Sequence, residues 1–360
     1  MRRIPTKYLK INSIIATDVY DANFRLLIKK NSKIDIKVIE YLKKFNILSV
    51  YIVDEHSPEI INDIISSELR SKAVIELKKM SAEFTSIEIK KRYSTIRELY
   101  IENITLIANQ IIDELLERKA LLIQQIDIRN MENYNYSHSV NVAILSVIIG
   151  ISLKYNRKEL EKIALAALLH DIGKALLPKE LLIKRERNEE EENLLRSHCE
   201  LGYNYLSKYS NIDNKVKLAI LHHHENIDGS GYPQKLKGNQ ITEISKIISI
   251  ANFYDNLMAS GYMLGENLPS NVLEAIMGYV DRSFDYNVVK AFYSKVEPFL
   301  KGTIVRLNNG EIAIVKGTIE GLPLRPIVQV IKSDNQGRVN KCINLADNLN
   351  LMIAEIVYYI

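Results

Sequence analysis

Three observations predict a mainly α protein with a small α/β unit at its N-terminus and a small β appendage at its C-terminus. Apolar residues recur at helical spacing from about residue 59 to 300, the pattern changes to alternation after Gly302, and the first 56 residues mix short β-prone runs with one helical run. With 360 residues, 47% apolar and 26% charged, the chain is long enough for two or three domains and has the balance of a globular protein.

Residues 13–19 and 25–28 read as short strands around the turn-formers Asp21, Ala22 and Asn23. A helix over 36–45 and a strand over 48–53 complete the unit 1–56. Ser57-Pro58 then combines a capping hydroxyl with proline at the first helical position, and neither glycine nor proline follows until Gly150. Residues 57–128 are therefore expected as two or three long helices, with Ile61, Ile64, Ile65 and Leu69, then Leu106, Ile107, Ile111 and Ile112, on their apolar faces. Such a region can be a signalling arm, with a homodimer through it as a candidate assembly, or ordinary bundle packing; its heptads are too irregular to decide. In 129–300, helices are expected over 136–153, 157–169, 189–210, 214–223, 242–259, 271–277 and 286–296. In 301–360 strands are expected over 304–307, 312–315 and 327–331, the first two joined by a turn at Asn308-Asn309-Gly310.

Composition excludes several function classes. Lysine plus arginine exceed aspartate plus glutamate by only 48 − 44 = 4, too mild a surplus to argue for a nucleic-acid partner. No apolar run approaches the roughly 20 residues of a membrane span, and the chain reads as cytoplasmic. Cys199 and Cys342 form no Cys-x-x-Cys pair and read as reduced thiols.

The histidines carry the chemistry. Six of seven fall between His138 and His224: His138, His170 beside Asp171, His198, and the triple His222-His223-His224. Nitrogen donors plus a carboxylate on separated segments are what a polynuclear transition-metal site in a helical bundle requires. His56, alone beside Ser57-Pro58, reads as a solvated histidine. His170-Asp171 ends an apolar run, 163–169, where a charge is costly unless a metal or partner charges compensate it.

The motifs Tyr136-Ser137-His138-Ser139-Val140-Asn141-Val142, His170-Asp171-Ile172-Gly173-Lys174, His198-Cys199-Glu200-Leu201-Gly202-Tyr203 and His223-His224-Glu225-Asn226-Ile227-Asp228-Gly229-Ser230-Gly231-Tyr232-Pro233 resemble those of the HD-GYP family. The resemblance covers about residues 125–300, and both flanks look like units often fused to such proteins. It implies a helical HD-type bundle that hydrolyses the messenger cyclic di-GMP with two divalent metal ions, iron or manganese. Matching the family's motif, Asp171 bridges, His138 and His170 complete one metal, and His198, His223 and His224 the other, while His222 lies off the site. A phosphodiester is an anionic, poor electrophile, so its hydrolysis at neutral pH needs a water of lowered pKa and positive charge on the phosphoryl oxygens. A hydroxide bridging two metals supplies both.

Lys174, three residues after Asp171, should share its side of the helix end and hold the phosphate or polarise the attacking hydroxide. Gly231 and Tyr232 lie in a loop that either borders the substrate or is shaped by backbone demands alone. Two departures from the family bear on function. Where members usually carry Asp-x-x-Asp, this chain has Asn252-Phe253-Tyr254-Asp255, so either the Asn252 amide oxygen or Asp255, one turn along, serves as metal ligand. The basic segment that often follows is replaced by residues 257–265 without a cation. Tyr134, where some members carry a glutamate that admits a third metal, favours two. The expected reaction opens cyclic di-GMP to linear pGpG, with onward cleavage to GMP open. The alternatives are a degenerate module that binds nucleotide and signals without turnover, or a hydrolase of another nucleotide.

Overall fold

A computed structural model describes the chain except residues 22–24, 58–62, 86–93, 119–132, 185, 265–268 and 359–360; of residues 84–85, 94–97, 209 and 260–264 it describes the backbone alone. Ala22 and Asn23 of the expected turn, Pro58, Ile61, the end of the 57–128 region and Gly265 thus lie outside the described residues.

The N-terminal unit comprises β1 (Arg2–Pro5), β2 (Ile14–Ile15), β3 (Val19–Tyr20), β4 (Leu26–Ile28), α1 (Ile36–Lys44) and β5 (Ser49–Val53). An antiparallel sheet of order β1-β5-β2 and the β3-β4 hairpin enclose Ile4, Ile15, Val19, Ile34, Leu42 and Val50. Asp35 caps α1 by accepting from the Val38 amide, 2.8 Å. β1 was not legible as a strand, because its four residues are ordered by pairing Ile4 with Val50, far along the chain.

The helices α2 (Ser67–Thr85) and α3 (Ser94–Leu116) share one continuous apolar core with α4 (Tyr134–Ser152) and α5 (Arg157–Leu169). α4 is buried from His138 to Gly150, which makes it the central helix of the bundle. α5 has the bounds its sequence predicts, since the reciprocal Asn156–Glu159 capping box fixes its start. After a 3-10 turn, Ile172–Leu176, come α6 (Lys179–Ile183), α7 (Glu189–Arg196), α8 (His198–Tyr209), α9 (Asn214–His222), α10 (Glu243–Leu264), α11 (Pro269–Gly278) and α12 (Tyr286–Tyr293). The single helix expected over 189–210 is broken at Ser197, whose hydroxyl donates back to the Leu194 carbonyl at 2.6 Å. Among the described residues no helix is long and apolar enough to cross a membrane.

The C-terminal unit is a five-stranded antiparallel sheet of order β10-β6-β7-β8-β9, from β6 (Ile304–Leu307), β7 (Ile312–Ile319), β8 (Leu322–Lys332), β9 (Cys342–Asn344) and β10 (Ile353–Ile356). Gly310, at φ +87°, makes the expected turn between β6 and β7. β9 and β10 escaped the sequence reading because each is short and ordered only by its long-range partner.

Candidate metal centre

Four segments of the bundle converge on Asp171. The carboxylate follows the C-terminal end of α5, and the 3-10 turn after it lies directly against the start of α8. A Cβ on Gly173 would stand 1.9 Å from the His198 carbonyl oxygen and 2.7 Å from the Gly202 amide nitrogen, so only glycine permits this approach. The break at Ser197 starts α8 at this point and aims His198 at Asp171.

The two carboxylate oxygens of Asp171 face different groups. Oδ2 lies 3.4 Å from His170 Nε2 and 3.9 Å from His138 Nε2, whereas Oδ1 lies 3.3 Å from His198 Nε2 and 3.9 Å from His223 Nε2. Two donors each about 2.1 Å from one ion at tetrahedral or octahedral angles are separated by about 3.0–3.4 Å. His198 Nε2 and His223 Nε2, 3.3 Å apart, and His138 Nε2 and Asn252 Oδ1, 2.9 Å apart, have about the spacing of such a shell.

The ring nitrogens facing away from the cluster have partners that set the tautomers. His170 Nδ1 donates to the Ala167 carbonyl at 2.8 Å, His198 Nδ1 to Leu195 at 2.7 Å and His223 Nδ1 to Ile220 at 2.7 Å. Each leaves an Nε2 lone pair directed inward. His138 differs: its Nδ1 meets Asp255 Oδ2 at 2.7 Å. Asp255 therefore sits on the outer side of His138, and the Asn252 amide oxygen is the group beside Nε2. Asn256 Nδ2 donates to that oxygen at 2.7 Å, and the Tyr134 hydroxyl donates to Asn256 Oδ1 at 3.2 Å, which fixes the oxygen toward the cluster.

Electrostatics matches the donor set. Burial opposes the charge on Asp171, but His170, Lys174 and His198 outweigh it and hold its carboxyl well below the usual carboxylate range. Burial holds His198 down to about 4 and keeps His223 and His224 well below the ordinary histidine value; His138 is lowered too, its burial outweighing Asp255. His138, His198, His223 and His224 are thus held toward the neutral form that ligates a metal ion. His170 Nε2 and Asp171 Oδ1 are buried without a hydrogen-bond partner, an arrangement that a cation would satisfy. The residues fit divalent ions in two groups: His138, His170 and Asn252 on one side of Asp171, His198, His223 and His224 on the other.

The remaining expected residues are placed as follows. Lys174 Nζ donates to Asp171 Oδ2 at 2.6 Å, on the His170 side. Tyr232 stacks on His224 with centroids 4.7 Å apart, and Arg196 covers the tyrosine ring at 5.3 Å. Gly231 is explained by packing: a Cβ there would stand 2.3 Å from the Asn226 amide nitrogen and 2.5 Å from the His224 carbonyl. His222 turns away to Gln234, 3.0 Å, as expected for the extra histidine. Sequence reasoning missed Cys199, whose Sγ lies 3.5 Å from His198 Nε2 within the His198, His223 and His224 group, and Asn256, one turn after Asn252. Adjacency to a ligand and the i, i+4 spacing were the available signals.

Parts of the chain are similar to known proteins. Residues 114–288 match the model of the HD domain, and residues 304–358 that of a KOW domain associated with it. Residues 114–288 are thus similar to the HD domain. It is 32% identical over 201 residues to the cyclic di-GMP phosphodiesterase PdeB of Borreliella burgdorferi, covering 55% of this chain and 52% of the relative. It is 30% identical over 214 residues to the cyclic di-GMP phosphodiesterase PA4108 of Pseudomonas aeruginosa, covering 58% and 51%. A 3'3'-cGAMP-specific phosphodiesterase of Vibrio cholerae is 32% identical over 127 residues, 35% of this chain and 27% of that protein. The chain spans about half the length of the first two relatives. The model of the HD domain includes α4 through α11 but begins after α2, although α2 packs on the same core.

Proposed function

We propose that this HD-domain chain is a metal-dependent phosphodiesterase that opens cyclic di-GMP to linear pGpG, with onward cleavage to GMP as a second step at the same site. The observation that carries this reading is the division of the Asp171 oxygens between two sets of imidazole donors, His170 and His138 against His198 and His223. When bound, two divalent ions of the iron or manganese class supply a water of lowered pKa and positive charge for the phosphoryl oxygens. In this reading Asp171 and the histidines would hold the ions, and Asn252 would contribute a neutral oxygen where the family has a carboxylate. Lys174 holds its protons at Nζ toward Asp171 and is partly exposed, so it can pass a hydrogen bond to an incoming phosphate. Tyr232 shields His224 from water on one face. The names of the Borreliella and Pseudomonas relatives support cyclic di-GMP as substrate; the Vibrio relative's name favours a second reading, in which the substrate is another cyclic dinucleotide.

The test is anaerobic purification with metal analysis, then chromatography of products from cyclic di-GMP and from 3'3'-cGAMP with added manganese. Linear pGpG from cyclic di-GMP, with about two ions per chain, is the expected result. Turnover of 3'3'-cGAMP alone establishes the second reading. Metal and nucleotide bound without product would replace hydrolysis by a receptor role, for which the neutral Asn252 is the structural motive.

A further inference from the structure

A hydrogen-bonded chain runs from the N-terminal helices to the metal centre. Asp63 pairs with Arg70 of α2 through both carboxylate oxygens, Nε–Oδ2 2.8 Å and Nη2–Oδ1 3.2 Å. Arg70 Nη1 donates to Asn141 Oδ1 of α4 at 2.6 Å, and Asn141 Nδ2 donates to Asp255 Oδ1 of α10 at 3.2 Å. The other Asp255 oxygen receives His138 Nδ1 at 2.7 Å. Asn141, Asp255 and His138 are buried, and the Arg70 and Asp63 side chains are largely so.

The polarity of this chain is set at its Arg70 end. A guanidinium only donates, so Asn141 must present its oxygen to Arg70 and its NH2 to Asp255. Asp255, kept as an acceptor, then draws the His138 proton to Nδ1 and leaves the Nε2 lone pair facing Asp171. α2 also borders this region: its Leu77 and Ser81 line a cleft with Tyr136, Ser139, Asp171 and Lys174.

We propose that Arg70 is a positioning residue for the metal centre: through Asn141 and Asp255 it holds His138 in its ligating tautomer, so that α2 governs ion binding on the His138 side. The statement about ions rests on the reading of His138 as a ligand. The statement about the tautomer does not.

Removing Arg70 leaves the buried Asn141 oxygen without its charged donor and frees the amide to turn, which exchanges a donor for an acceptor against Asp255. Partners behind a ligating histidine typically change metal affinity about 10- to 100-fold. The experiment titrates the metal-free full chain with Mn²⁺ by calorimetry and records the His138 ring-nitrogen pattern by NMR, for the native protein, Arg70→Ala, Arg70→Lys and Asn141→Leu. His198→Ala serves as the control for the opposite side. Expected are two ions on the native chain. Arg70→Ala and Asn141→Leu should keep one ion at native affinity and bind the other about 10- to 100-fold more weakly, with His138 no longer held as the Nδ1–H form. Arg70→Lys, which keeps the charge and a donor, should recover part of the loss.

Native affinity for both ions in Arg70→Ala and Asn141→Leu, or equal weakening of both ions, would overturn the proposal. If Arg70→Ala does not fold, Asn141→Leu decides alone. If the native chain takes up no Mn²⁺, the metal reading fails, and the His138 tautomer in the metal-free proteins still decides whether Arg70 positions it.

Discussion

On one side of Asp171, His198 and His223 are oriented by carbonyls three residues upstream, Leu195 in the last turn of α7 and Ile220 in the last turn of α9, at 2.7 Å each. On the other side, His138 is oriented by Asp255, 117 residues away, and Asn252 by Asn256 and Tyr134. The first arrangement depends only on chain within three residues of each histidine. The second exists only after α4 and α10 have packed together, and it also reaches α2 through Asn141 and Arg70. A candidate site built this way has one side oriented locally and another on which His170 alone is oriented locally, by the Ala167 carbonyl, while His138 and Asn252 report on the packing of the bundle.

Mutations can break or sharpen this contrast. The largest effect is expected from Asp171→Asn, which weakens the group shared by both halves. Turnover should fall by about 1000-fold or more, and metal analysis should show both ions lost. Retention of two ions would mean the halves do not share this carboxylate. Next, Asp255→Asn should weaken one ion about 10- to 100-fold and spare the other, as read by calorimetric titration. A uniform loss would erase the distinction between local and long-range orientation.

Gly173→Ala places a Cβ against the backbone of α8 and should cost about 1–3 kcal/mol of stability, measured by denaturant unfolding, as the turn and α8 separate. It should also loosen the His198 side more than the His138 side. This is the one expected route by which packing damages the local half.

A smaller effect concerns pH. In the metal-free folded chain burial holds His198 down to about 4, whereas an unfolded histidine protonates near 6.5. The unfolded state therefore takes up the proton first as pH falls. Stability from this group is fully present above about 6.5, declines toward about 4, and changes no further below that, by at most about 1.4 kcal/mol per pH unit. Unfolding followed against pH should show this slope, and His198→Ala should reduce it. The smallest effect belongs to His222→Ala: the ion count should not change, and the lost Gln234 contact should cost about 1 kcal/mol.

Much of the candidate site was legible because its donors are unusual residues in an ordinary background. Six histidines in one stretch, with His170-Asp171 at the end of an apolar run, mark a candidate metal site from residue type and spacing alone. α5 was legible to the residue, since its capping box and apolar face are local features. The split of 189–210 was not legible, because helical periodicity runs through Ser197 and the break shows only in how α8 abuts Gly173. Nor could Asp255 and Asn252 be told apart. They lie one turn apart on one face of α10, and only the ring orientation of His138 puts one behind the imidazole and the other beside its ligating nitrogen.

The sequence by itself determined the mainly helical class, the two flanking small units, the HD-type motifs and which histidines are candidate donors, because each depends on residue type and on spacing within a single element. Tertiary structure alone decided which Asp171 oxygen faces which histidines, where Asn252 and Asp255 stand, and that Arg70 reaches the centre through Asn141. Those outcomes are relations between elements far apart in sequence, set by a few tenths of an ångström in packing and by the direction of each hydrogen bond, and no local pattern encodes them.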